Sequence, residues 1–255
     1  TNTYTGTTTI KAGTLVAGTN APSGSGGAFG SATSAVLLGD TTGTADAALL
    51  TNGAYTIARA ITVQSGSTGT ATIGGNSAHS STFTGNIVLN KSAILTAISG
   101  GTATFSTGVI SESGGSFALT KTDAGTVILS GTNTYTGATT ISAGVLRAAN
   151  AAALGTTDSG TTVANGAALE LSGGLIFNAE ALTIDGTGIS SGGALRNVSG
   201  ANTFQGAITL GAQSTTSINA DSGTTLTLNA TTAITGNAAG TKTIQFGGVG
   251  NTSVS

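Results

Sequence analysis

Cysteine and methionine are absent from this chain, proline occurs once, at Pro22, and only 6% of its 255 residues are charged. Each scarcity excludes something. A chain without cysteine forms no stray disulfides during export. Seven Lys and Arg in 255 positions, at a net charge of −2, make no basic stripe for nucleic acid or an anionic membrane. No apolar run approaches the roughly 18–20 residues of a membrane span. The chain opens on Thr1 with neither Met nor a signal-like segment, which reads as a processed product or an excised piece.

What is present is Gly, Thr, Ser and small aliphatic clusters. Gly supplies 42 residues and 38% of the chain is hydrophobic. Low charge with much Gly and Ser suggests disorder, but the apolar residues are grouped as "AVLL", "ITV", "NIVL", "TVIL", "LEL" and "LTL". Thr, Val and Ile dominate these groups, as a pleated, half-buried backbone prefers. Ordered β-structure is the reading that fits both facts.

The chain repeats itself. "TNTYTGTTTIKAGTL" (Thr1–Leu15) aligns without a gap to "TNTYTGATTISAGVL" (Thr132–Leu146). "STFTGNIVL" from Ser81 and "NTFQGAITL" from Asn202 follow the same scheme, an aromatic, a Gly two residues on, then an apolar strand. Two tandem units result, residues 1–131 and 132–255, in one continuous solenoid. Their ends also correspond loosely, "GGTATFSTG" with "GGVGNTSVS", and the second unit breaks off at Ser255. The doubled "TNTYTG" is expected to mark equivalent corners of the two units.

Within a unit, strands of three to six residues alternate with Gly-containing corners. "TTVANGAALELSG" (Thr161–Gly173) and "TTLTLNATTAITG" (Thr224–Gly236) show it, with Leu169, Leu171, Leu226 and Leu228 facing one way. Asn52–Gly53, Asn165–Gly166, Ala12–Gly13 and Ala143–Gly144 read as corners. Asn-Gly pairs also close antiparallel hairpins, so a β-sandwich or a pair of barrels stands as the alternative. Very short strands in tandem units with like-sized apolar residues favour a parallel β-helix, where each rung lies about 4.8 Å from the last. At roughly 20–24 residues per rung the chain makes about eleven to thirteen rungs and spans about 50–60 Å. "RAANAAALG" (Arg147–Gly155) is the one helix candidate, of a single turn at most.

"TKTDAGTVILSGTNTYTGATTISAGVL" (Thr120–Leu146) resembles the passenger-associated strand repeat of bacterial autotransporters. Lys121, Gly125, Thr126, Leu129, Ser130, Gly131, Asn133, Thr134, Tyr135, Thr136, Gly137, Thr139, Thr140, Gly144 and Leu146 carry the likeness, and Asn2 to Leu15 carry its second half. The resemblance implies a right-handed parallel β-helix, all-β in one elongated domain, belonging to a large, repetitive, secreted or surface-attached bacterial protein.

Residues that bear chemistry are few. His79 is the sole histidine, and no acid lies within 30 positions of it. A catalytic triad or His-based metal site has nothing to build on there, so His79 reads as a solvated loop residue. β-Helices that cleave polysaccharides cluster carboxylates on one face. Here Asp40, Asp46, Glu112, Asp123, Asp158, Glu170, Glu180, Asp185 and Asp221 come about one per rung, although stacking could gather Glu170, Glu180 and Asp185. Otherwise the acids read as isolated solubilising charges. "GDTTGTADA" (Gly39–Ala47) and "IDGTGISSGG" (Ile184–Gly193) lack the ligand order of calcium loops. "SGSGGAFG" (Ser23–Gly30) lacks the Lys-Thr and helix of a phosphate loop.

Tyr4, Phe83, Tyr135 and Phe204 read as corner packing rather than sugar platforms, and Asn2 and Asn133 as turn-bonding amides. No catalytic, metal or cofactor residue is therefore assigned. The expected role is a structural, non-enzymatic stalk or filament at the cell surface or outside the cell. Expected partners are adjacent repeats of the same parent chain or other subunits, stacked end to end on the open strand edges. An adhesin contacting glycans or host surfaces is the alternative, and a polysaccharide-degrading enzyme a third.

Overall fold

A computed structural model describes residues 1–229, 233–236 and 240–254. Ser255, where the second unit breaks off, and residues 230–232 of the Thr224–Gly236 pattern lie outside the described residues. The chain is a parallel β-solenoid of about ten turns, a single elongated domain with essentially no helix. Every strand pairing among the described residues is parallel, so the Asn-Gly corners turn the coil and close no hairpins, and neither sandwich nor barrel forms. Arg147–Ala148 lies in a strand and residues 149–155 only turn; the one helical turn described is a 3-10 segment at Ile189–Ser191.

The turns are longer and fewer than eleven to thirteen. Their lengths also differ, since Gly13 has to reach Ala47 for its partner one turn on, whereas Leu119 has only to reach Thr139. The surplus sits in corners, most of it in residues 18–35. Arg59, 1% exposed, holds that loop by donating to the carbonyl oxygens of Phe29 and Ser34. Ten rungs at about 4.8 Å span roughly 45 Å, shorter than the 50–60 Å expected.

A ten-stranded sheet runs from Gly13–Ala17 to Ile234–Gly236 and a nine-stranded sheet from Thr56–Ile57 to Thr243–Gly248. The third side is a five-stranded sheet (Thr9–Ile10 to Ile110–Glu112) and, later, a four-stranded one (Ile176–Phe177 to Asn251–Val254). Between them, residues 130–138 and 149–160 cross the third side without a strand.

Alternation along each strand sends every second side chain inward. Register then stacks like on like: Leu49, Ile73, Leu95, Lys121, Ile141, Val163, Ile184 and Leu210 form one inward file. Phe83 and Phe105 are stacked in another, ring centroids 4.8 Å apart. The corner glycines differ in kind. Gly144, at φ +67, adopts a conformation that strains other residues, whereas Gly53 has no such φ and instead lies under the Tyr55 ring.

The repeated units do not occupy equivalent corners. Thr9–Ile10 belongs to the five-stranded sheet, but its counterpart Thr139–Ile141 belongs to the ten-stranded one. Gly13–Ala17 lies in the ten-stranded sheet and Val145–Ala148 in the nine-stranded; Ser80–Phe83 lies in the nine-stranded and Ala201–Phe204 in the four-stranded. Each strand of the second unit sits one side further round than its copy. The stretch from Thr1 to Thr132 is therefore a whole number of turns plus one side.

Candidate functional site: clipped corners, a buried column and an ionic ladder

The charged residues lie between turns. Lys121 stands in an inward file, 1% exposed, and its Nζ donates to the carbonyl oxygens of Thr122 (2.7 Å), Asp123 (2.7 Å) and Ala143 (3.1 Å). Burial drives its pKa down to about 8, against a smaller upward pull from Asp123. Lys242 Nζ donates to the carbonyls of Gly211, Ala212 and Gln213, and Lys91 Nζ to those of Ser67 and Gly69. With Arg59, four of the seven cations bind carbonyls that corners leave unpaired.

Two more cations build a ladder on the outer face of the nine-stranded sheet. Register places Arg147 beside Glu170 and Glu170 beside Arg196. Arg147 Nε and Nη2 donate to Glu170 Oε2 at 2.8 and 2.7 Å, while Arg196 Nε and Nη2 donate to the two oxygens of Asp221, both at 2.8 Å. Arg196 Nη1 lies 3.6 Å from Glu170 Oε1, an ion pair too long for a direct hydrogen bond. Signs alternate along the row. Lys11 is left to a surface contact with Asp40 at 3.7 Å.

The acids do not gather as one group. Glu170 is in the ladder. Glu180 is buried beside the ten-stranded sheet and accepts from Thr161 Oγ1 at 2.9 Å, and Asp185 Oδ1 accepts from the Gln213 N–H at 2.7 Å. Asp40 and Asp46 accept backbone N–H groups of Thr41 and Thr70. Among the described residues no three His, Cys, Asp or Glu side chains converge as metal ligands would. His79 is exposed. The acids are thus partnered rather than isolated, and partners such as Thr161 for Glu180 and Gln213 for Asp185 lie a turn away, beyond local sequence reading.

The second copy of the repeated motif forms a buried column. Tyr135 is fully buried, its hydroxyl 2.7 Å from Thr139 Oγ1. Thr139 stacks on Thr161, and Thr161 donates to Glu180. Burial raises the Glu180 pKa to about 7, partly offset by the Thr161 bond, and raises that of Tyr135 as well. Asn133 Oδ1 accepts the Ile110 N–H at 2.9 Å and its Nδ2 donates to the Ala153 carbonyl at 2.7 Å. Glu112 accepts the Thr136 N–H and hydroxyl and the Phe117 N–H. Desolvation pushes its pKa up, but these bonds outweigh it and leave the carboxyl below its usual value. Thus an asparagine and a tyrosine lock one loop between the turns on either side.

Residues 1–17 and 119–148 match the family described as Passenger-associated-transport-repeat. The two matched stretches contain the two copies of the chain's own "TNTYTG" repeat. The second match covers Lys121 with its three carbonyls, Asn133, Tyr135 and Gly144, so the passenger repeat coincides with the carbonyl clip and the buried column. The first covers Asn2, Tyr4 and Gly13. No curated protein and no solved structure matches the chain.

Proposed function

We propose that the chain is a structural, non-enzymatic stretch of a large, repetitive bacterial surface or secreted protein, acting as a rigid stalk or filament. The passenger repeat and the solenoid fold support a structural passenger segment. The observation that carries the rigid role is the unbroken ten-stranded ladder, with lysines binding carbonyls from one turn to another. Such a rod bends only by breaking bonds between turns.

Its ends present strand edges, and the proposed partners are further passenger turns stacked on them, from the same parent chain or another subunit. The match to the passenger repeat supports surface exposure or secretion. No helix among the described residues is long and apolar enough to cross a membrane. Electron microscopy of the purified protein tests stacking between subunits: rods about 45 Å long joining end to end are expected, and dispersed single rods at high concentration would sink self-assembly through the protein's own ends. Polysaccharide cleavage lost on changing Glu170 or Asp185 would overturn the non-enzymatic reading.

A further inference from the structure

The loop that covers the ionic ladder is built at a conformational cost. Ser190 and Ser191 are consecutive non-glycine residues at φ +50 and +59, and Asp123 is the only other such residue described. Backbone strain of this kind persists where the surroundings hold it, and it concentrates at binding sites. Under this loop lies a cavity of about 210 Å³, lined by Val145, Ala168, Ile189, Ser190, Glu170 and Arg196 among others.

The polar groups in that cavity are incompletely used. The Glu170 side chain is only 7% exposed, with Oε2 taken by two bonds from Arg147. Its Oε1 has only the long approach of Arg196 Nη1 at 3.6 Å, and Arg196 has already committed Nε and Nη2 to Asp221. Glu170 Oε1 and Arg196 Nη1 thus lie side by side on the cavity wall, slightly too far apart for a direct bond. A hydroxyl group approaching both atoms from the cavity side bridges them, because it accepts from the guanidinium and donates to the carboxylate at once. Val145, Ala168 and Ile189 offer apolar surface beside it, suited to the C–H face of a ring.

We propose that this cavity binds a single uncharged sugar unit through one ring hydroxyl held between Arg196 Nη1 and Glu170 Oε1. The ladder Arg147, Glu170, Arg196 and Asp221 sums to zero charge, so the site carries no net charge to attract an acidic or an amino sugar. The volume admits one pyranose ring. The proposal adds a binding site to the rod and holds whether or not the ends stack.

Saturation-transfer NMR on the whole 255-residue protein tests it, with methyl glucoside, galactoside and mannoside as neutral probes and glucuronate and glucosamine as charged ones. Transfer to at least one neutral glycoside is expected. Ala168→Leu, which fills the cavity and leaves the ion pairs, is expected to weaken it at least tenfold, as is Ile189→Asp on the exposed loop. Thr183→Ala on the neighbouring sheet is expected to change nothing. Circular dichroism verifies that each variant is folded. No transfer to any neutral probe, equal transfer in both folded cavity variants, or preference for a charged probe would each overturn the assignment.

Discussion

The two stretches that match the passenger repeat have nearly the same residues and make the same bonds to the segment that follows, yet differ in their surroundings. The backbone N–H of Ser31 donates to Tyr4 as that of Thr156 does to Tyr135, and Asn2 Nδ2 finds the Ala28 carbonyl as Asn133 Nδ2 finds that of Ala153. Each tyrosine hydroxyl lies 2.7 Å from a threonine four residues on. Tyr135 is nevertheless fully buried while Tyr4 is 45% exposed. The difference lies in the preceding turn. Ile110 and Glu112 bond to Asn133 and Thr136 of the internal copy, and among the described residues no donor reaches Asn2 Oδ1. The motif therefore shapes its own loop, whereas its energetic weight comes from what stacks above it.

Removing the rings separates the copies most. Tyr135→Ala is expected to cost about 3–5 kcal/mol as a buried aromatic, and Tyr4→Ala less than about 1 kcal/mol, read from urea midpoints. Equal losses would mean that the first copy is covered in solution.

Next comes the column that only the internal copy completes. With the folded pKa of Glu180 raised from 4.5 to about 7, the fold retains a proton that the unfolded chain has released. Its contribution is greatest below pH 4.5, declines as pH rises to 7, and is level beyond. The decline amounts to about 2–3 kcal/mol once partial solvent screening is allowed for. Glu180→Gln is expected to flatten this slope in denaturation curves taken between those limits.

The asparagines differ by less. Asn133→Ala leaves the buried Ile110 N–H and Ala153 carbonyl unpaired, at about 2–3 kcal/mol, whereas Asn2→Ala loses one exposed bond and under about 1 kcal/mol. Smallest is Lys11→Met, within about 0.5 kcal/mol, since the side chain is 69% exposed with one long ion pair. A larger loss at Lys11 would show that its pair with Asp40 is tighter in solution.

Much of this was legible in the chain itself. Alternating Thr and aliphatics such as Thr139–Ile141 announced short strands, and the Ala-Gly pairs announced corners. Asn133 and Tyr135 were readable as packed corner residues because a repeat that includes them must serve the coil. The number of turns was not legible, because insertions such as residues 18–35 lengthen a corner without changing the strand pattern. Lys121 was unreadable as a core residue, since only register shows it standing between Leu95 and Ile141. The pairing of Glu170 with Arg147 on one side and Arg196 on the other is likewise a product of register between turns of unequal length.

The one-side offset between the two units gives the rod a screw sense in its surface features. Any further unit of the same length would turn through another third of the circumference. Equivalent loops would then climb the shaft like the treads of a spiral stair, returning to the same bearing only at the fourth. A given flank would then present the same loops at every third such unit.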